Sequence, residues 1–182
     1  EHFEVGAGVA LYNVRNSLVL LNNVSSCASG IYLHGSDYNE VTENNISAVE
    51  GICLQDDSDG NTITGNTITA SSTGVMIGLS DWNSFHENDI TGSGFLLDGA
   101  LACFTTQTIS EDNTVNGKPV YYYKNAELTG THVPSDAGQV IMGNVSGLHV
   151  ESLSMDAATA GIQAAYCSNL TITDCSISSC HY

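Results

Sequence analysis

A histidine close to two carboxylates is the first set of residues in this sequence that could do chemistry. His34 ends one apolar segment, and Asp56 and Asp57 follow the corresponding segment of the next unit in a repeat of about 22 residues. Two carboxylates near an imidazole can act as acid and base in cleaving a glycosidic bond. Polar residues at surface turns would have the same composition without any catalytic role. The sequence therefore favours a non-catalytic protein, with a carbohydrate-active enzyme as the alternative.

Three aspartates form a candidate cation site, because Asp37, Asp59 and Asp81 occupy the same position in three successive repeats. Stacked one above another, they would place like charges about 5 Å apart, at a cost of roughly 1 to 3 kcal/mol per pair. Bound calcium would relieve this repulsion, since it takes carboxylate oxygens as ligands. Alternatively, each aspartate caps its own turn in a Ser-Asp-x-Asn segment through a local side-chain-to-backbone hydrogen bond. We favour the capping interpretation and keep calcium as the alternative.

Copper and haem are the other cofactors to consider. A site for a soft metal needs converging Cys, His and Met side chains, but the histidines share no common position in the repeat. They are His2, His34, His86, His132, His149 and His181. Cys175, Cys180 and His181 form C-x4-C-H, a loose variant of the haem-attachment motif with a different spacing. The sequence therefore predicts neither copper nor haem.

Six cysteines leave three alternatives open: buried small apolar residues, disulfides within the chain, or cross-links between subunits. No two of them are separated by a single repeat, the spacing that would stack two thiols on neighbouring units. They are Cys27, Cys53, Cys103, Cys167, Cys175 and Cys180.

Charge and hydropathy exclude two classes of partner. Twenty acidic residues against three basic ones give a formal net charge of −17, which excludes nucleic acid as a ligand because its phosphates need cations. The same imbalance disfavours anionic lipid. No apolar run approaches the 18 or so residues that would span a bilayer, so membrane insertion is not predicted.

The repeat positions all of these side chains. Val41, Ile63 and Phe85 share one position of the repeat, and Ile46, Ile68 and Ile90 share another. Each unit holds two or three short alternating runs rich in Val, Ile and Thr between turn residues, and no window shows a helical period. A period of this kind predicts an all-β parallel β-helix of about seven to eight coils, with helix nearly excluded.

Asparagine marks one turn of every coil in this arrangement. Asn22, Asn44, Asn66 and Asn88 occupy one position in four successive repeats. Stacked asparagine amides can donate to the carbonyl of the same residue one coil away, which satisfies polar groups that strands leave unpaired. We therefore predict a structural ladder at these positions.

The repeat divides a single domain, residues 1–182, into three parts: regular coils at 8–116, an irregular Tyr-rich insertion at 117–137, and two further coils at 138–182. The insertion contains Tyr121, Tyr122 and Tyr123. An exposed row of tyrosines could stack on sugar rings. Alternatively, the segment is an extended strand whose alternate tyrosines pack over the side of the solenoid.

The repeat resembles a known family. Its template is G-[IV]-x-[LI]-x-x-S-D-x-N-x-[VI]-x-x-N-x-I-[TS], and with NTVNGKPVYYYKN and AGQVIMGNVSGLHVESLSM it is similar to the right-handed parallel β-helix repeats of bacterial and archaeal surface and periplasmic proteins, the NosD-like type. The resemblance implies an exported protein, extracellular or at the cell surface, often on an archaeal envelope. The Gly-His-Gly and Arg-x-Lys motifs of β-helix hydrolases do not occur, which weakens the case for a pectate-lyase-like enzyme.

Solenoid ends normally need a capping segment, because an open end exposes unpaired strands and core side chains. The sequence shows no such segment at either end. We therefore expect an excised piece of a longer protein, or a subunit that stacks with copies of itself in an envelope layer, sheath or fibre. Self-association or envelope components are the expected partners, and a polysaccharide is the alternative.

Overall fold

The computed structural model describes residues 6–156 and 158–180, and almost all of its regular structure is strand. The first stretch, residues 7–116, contains β1 Ala7–Tyr12, β2 Leu18–Leu20, β3 Asn23–His34, β4 Glu40–Thr42, β5 Asn45–Gln55, β6 Thr62–Thr64, β7 Thr67–Gly78, β8 Ser84–His86, β9 Asp89–Thr91, β10 Phe95–Asp98, β11 Thr108–Ile109 and β12 Thr114–Val115. A short helix, α1 Leu101–Thr105, lies between β10 and β11. The second stretch, residues 118–180, contains β13 Lys118–Glu127, β14 Gln139–Ser146, β15 His149–Glu151, β16 Ser154–Asp156, β17 Ile162–Ala165, β18 Thr171–Thr173 and β19 Ser176–Ser178.

The first stretch is a parallel β-solenoid. β1, β3, β5 and β7 pair in parallel in one sheet, and β2, β4, β6, β8 and β11 pair in another. Val19 pairs with Val41, Val41 with Ile63 and Ile63 with Phe85, each partner lying one repeat further along the chain. The predicted fold is confirmed: the chain forms about eight turns of about 22 residues each.

Columns of apolar side chains fill the interior of the first stretch. Ile31, Leu33, Ile46 and Ile63 and their equivalents in the neighbouring coils are buried. They alternate along their strands with residues that point outward, as the period of two in a strand requires. Each buried Val, Leu or Ile stabilises the fold by about 1.5 to 3 kcal/mol relative to an exposed one, so the core holds the stack together.

The second stretch adds further coils, but the chain reverses direction where it begins. β12 and β13 are antiparallel, and from β13 the sheet continues through β14 and β17 in parallel pairs. One face of that sheet, with Tyr121 and Met142, packs in a second core, while the other face, with Tyr122 and Ile141, packs on the first core. The sheet therefore covers the end of the first stretch. Residues 117–137, predicted to be an irregular insertion, contain the ten-residue strand β13.

Two glutamine side chains complete the hydrogen bonding of β10 at this junction. Gln139 Nε2 donates to Phe95 O (2.7 Å), and Phe95 N donates to Gln139 Oε1 (2.9 Å). Gln163 makes the same pair of bonds with Leu97, at 2.7 and 3.1 Å. A side-chain amide offers the donor and acceptor that a neighbouring strand would offer. The second stretch therefore caps β10, at a junction inside the chain that the sequence pattern does not mark.

The helix α1 sits in the same junction. Tyr122 Oη donates to Phe104 O (2.8 Å) at the end of the helix. A Cβ on Gly143 would lie 2.1 Å from that carbonyl oxygen, so only glycine allows α1 to approach β14 this closely.

Candidate functional sites

The asparagine column is a continuous hydrogen-bonded ladder. Asn44 Nδ2 donates to Asn66 Oδ1 (3.0 Å), and Asn66 Nδ2 donates to Asn88 Oδ1 (2.9 Å). The same oxygens accept the backbone N–H of Asn44 and Asn66. Asn22 joins the column at one end and Asn113 at the other. A second ladder runs through Asn39, Asn61 and Asn83 and ends on Gln107. These polar residues therefore hold adjacent coils in register.

The aspartate column also bonds from coil to coil. Asp37 Oδ1 accepts the backbone N–H of Asp59 (3.1 Å), and Asp59 Oδ1 accepts that of Asp81 (2.7 Å). The capping bonds therefore join successive coils, in place of the local bonds that the sequence suggested. Arg15 lies 2.7 Å from Asp37 and offsets its charge. Burial raises the pKa of Asp59, and repulsion from Asp81 and Asp37 adds to the effect. Calcium binding by this column stays the alternative, which nothing in the structure tests.

The structure brings together one pair from the candidate catalytic set. His34 Nδ1 lies 3.2 Å from Asp56 Oδ2, although the two atoms are not aligned for a hydrogen bond. Asp56 and Asp57 both have left-handed backbone angles at the turn after β5. Their backbone N–H groups donate to Gly78 and Leu79 in the next coil. The two aspartates thus belong to the turn that joins adjacent coils.

The three tyrosines of β13 do not form an exposed row. Tyr121 is buried in the second core and donates to Asp136 Oδ1 (2.9 Å). Burial raises the pKa of Tyr121 to about 12. Tyr122 and Tyr123 are half-buried, on opposite faces of the strand. Of the two arrangements that the sequence left open, this is the one in which the tyrosines pack over the solenoid.

No disulfide joins cysteines within residues 6–156 and 158–180. Cys53 and Cys103 are buried, and burial raises the pKa of the Cys103 thiol to about 11. Cys175 occupies a ladder position, with its thiol 3.6 Å from Val150 O. Cys27 and Cys167 are half-buried, so Cys180 is the most exposed of the cross-link candidates. His181, the third residue of the haem-like motif, lies outside the described residues, as does His2.

A cluster of two histidines and a glutamate was missed by the sequence reasoning. His132 and His149 lie side by side in a parallel bridge between adjacent coils. Glu151 Oε2 is 3.3 Å from His132 Nδ1, and Glu151 Oε1 is 3.2 Å from His149 Nδ1. The histidines are closer in sequence than one full repeat, so a search at the repeat spacing does not pair them. The repeated His-Val dipeptide at 132–133 and 149–150 is the signal that could have found them.

A pair of exposed aromatic residues is the other surface feature that the sequence reasoning did not single out. Tyr38 and Trp82 are 62% and 69% exposed. Both occupy the x position of Ser-Asp-x-Asn, two coils apart, which places their backbones about 10 Å apart. The ring of Tyr38 lies over Gly60 in the coil between them. Both aromatic residues have left-handed φ angles, 55° and 60°, a conformation that is costly for bulky side chains.

Comparison with known proteins identifies one family. A family model described as periplasmic copper-binding protein (NosD) matches residues 1–95. No curated protein and no solved structure matches the chain. The family's periplasmic location agrees with the predicted location outside the cytoplasm. No helix in the described part of the chain is long and apolar enough to cross a membrane. The imidazole and carboxylate donors of His132, His149 and Glu151 suit Cu²⁺, so residues outside the matched segment fit the metal that the description names.

Proposed function

Because the chain belongs to the NosD family of periplasmic β-helix proteins, we propose that it is a non-catalytic structural protein, a β-solenoid subunit of an envelope layer, sheath or fibre. The observation that carries this proposal is the pair of asparagine ladders. They bury polar residues in bonds between coils, so that side-chain as well as main-chain hydrogen bonds join each coil to the next. A rigid stack of this kind suits a load-bearing role.

The proposed assembly uses the outer edge of β18 and β19. Ile172 and Ile177 are 48% and 41% exposed, although their partners in the preceding coil, Val150 and Met155, are buried. β18 and β19 each pair with one strand among the described residues. An open strand edge with exposed apolar side chains is a template for pairing. We propose that a second copy of the chain covers this edge.

Charges placed on this edge are expected to abolish assembly. The protein should form large particles, and the double variant Ile172→Lys, Ile177→Lys should be monomeric, since burying two ammonium groups against a second copy is unfavourable. Light scattering after size-exclusion chromatography measures the mass. Leu79→Lys, at an exposed apolar position away from the edge (60% exposed), should leave assembly unchanged. A wild-type protein that stays monomeric at every concentration would contradict the proposal.

Glycan binding is a second candidate function, favoured by Tyr38 and Trp82. Exposed aromatic rings stack on the apolar faces of sugars, and the turn that recurs in each coil holds both residues on the same side of the solenoid. The net charge of −17 disfavours acidic polysaccharides. The expected ligand is therefore an uncharged polysaccharide chain lying across adjacent coils.

The intrinsic fluorescence of the protein tests this directly, because Trp82 is its only tryptophan. Titration with neutral oligosaccharides is expected to shift the emission, since a stacked sugar removes water from the indole. Tyr38→Ala should weaken the binding at least tenfold, while Tyr166→Ala, an exposed tyrosine of the second stretch, should not change it. An emission spectrum unaffected by every oligosaccharide of a broad panel would rule out this role.

A further inference from the structure

We propose that His132, His149 and Glu151 bind one divalent transition-metal ion, with Cu²⁺ bound most tightly. One ligand atom from each residue can be chosen so that all three lie within 4.8 Å of one another. The site is independent of the structural role, because it lies on the outer surface of the second stretch and belongs to neither ladder.

The distances within the cluster match those of coordinated ligands. Bonds of about 2.0 to 2.1 Å from a metal to nitrogen and oxygen give a tetrahedron with edges of about 3.3 Å. The two Nδ1-to-oxygen distances are 3.3 and 3.2 Å. The ring centroids of His132 and His149 are 4.9 Å apart, so both rings lie within reach of one ion beside Glu151.

The backbone holds these side chains together before any metal arrives. Val133 N donates to His149 O, and His149 N donates to Thr131 O, both at 2.9 Å. These bonds fix the two histidines in register on adjacent coils. Glu151 is two residues beyond His149 on β15, so its side chain lies on the same face. The cluster is therefore preorganised, and binding orders little besides the three side chains.

Exposure leaves room for further ligands. The His132 side chain is 60% exposed, and those of His149 and Glu151 are 32% and 38% exposed. Water can therefore complete the coordination shell. Imidazole and carboxylate donors bind Cu²⁺, Zn²⁺ and Ni²⁺, and affinity for a given site of this kind is highest for Cu²⁺. The alternative is a hydrogen-bonded His–Glu–His group without a metal, in which the carboxylate accepts from both rings.

Calorimetric titration with Cu²⁺ and with Zn²⁺ distinguishes a metal site from a hydrogen-bonded group without a metal. A His2→Ala, His181→Ala background removes the histidines near the termini. In that background we expect one Cu²⁺ per chain, tighter than Zn²⁺, and an electron paramagnetic resonance spectrum split by two nitrogen nuclei. His132→Ala and His149→Ala should each lower the affinity at least tenfold, and Glu151→Gln should lower it less.

Matched controls separate metal binding from loss of structure. His86→Ala removes a histidine that faces Asp112 at 3.9 Å, outside the cluster, and should leave Cu²⁺ affinity unchanged. The circular dichroism spectrum and melting temperature of each variant are measured without metal. Glu151→Gln is expected to keep the values of the background protein. The proposal fails if the background protein binds no Cu²⁺ with micromolar affinity, or if His132→Ala and His149→Ala bind it as tightly as the background does.

Discussion

Replacing Asn66 by leucine is expected to lower the free energy of unfolding by about 3 to 5 kcal/mol, because each buried polar group left unsatisfied costs about 1 to 3 kcal/mol. Asn66 is fully buried, and its side chain donates to Val41 O and to Asn88 Oδ1 while accepting from Asn44. Leucine has a similar volume but no polar atom, so several buried groups would lose their partners. Urea denaturation followed by circular dichroism measures the change.

The adjacent residue provides the control for this substitution. Asn45 is exposed on the strand that begins next to the ladder, so Asn45→Leu should change the free energy of unfolding by less than about 0.5 kcal/mol, as most surface substitutions do. If Asn66→Leu and Asn45→Leu destabilise the protein equally, the ladder does not hold the coils together.

Replacing Gln139 by leucine is expected to cost about 3 kcal/mol at the junction between the two stretches, where water does not replace the lost bonds. The Gln139 side chain is fully buried and bonds both backbone groups of Phe95 as well as Ala160 O. Leucine would remove this partner from all three groups, and the two groups of Phe95 are fully buried at the junction. Denaturation measures the total cost, and hydrogen exchange at the Phe95 amide, expected to accelerate, locates it.

Gln163 provides a graded comparison, since it makes the same bonds to Leu97 from a half-buried position. Gln163→Leu should cost about 1 kcal/mol, because water can bond some of the Leu97 backbone groups that lose the glutamine as a partner. Exchange at the Ile31 amide, in the middle of the first stretch, should not change in either variant. An unaltered Phe95 exchange rate in Gln139→Leu would show that the glutamine does not cap β10.

The sequence was sufficient to predict the coils of the first stretch, because their apolar and asparagine columns recur at one step. Val41 over Val19 and Asn66 beside Asn88 follow from that step alone. The same 22-residue period gives no sign of the junction between the two stretches. Val140 and Ile162 are one repeat apart whichever way their sheet faces, so periodicity cannot show that the sheet lies across the first stretch. Gln139 and Gln163 look like ordinary polar strand residues until β10 is seen beside them.

The candidate sites depended on features that a period does not record. Asp37, Asp59 and Asp81 were visible as a column, but the direction of their hydrogen bonds needs coordinates. His132 and His149 meet across a coil that is shorter than the repeat, so they do not occupy the same position of the repeat. Tyr38 and Trp82 occupy the variable position of the repeat, where the template itself gives no reason to examine the residue.

Electron microscopy of the purified protein tests the structural role most directly. The proposed role predicts ordered rods, sheets or fibres that disappear in the Ile172→Lys, Ile177→Lys variant. Fields of dispersed single particles, each the size of one 182-residue chain, would contradict it.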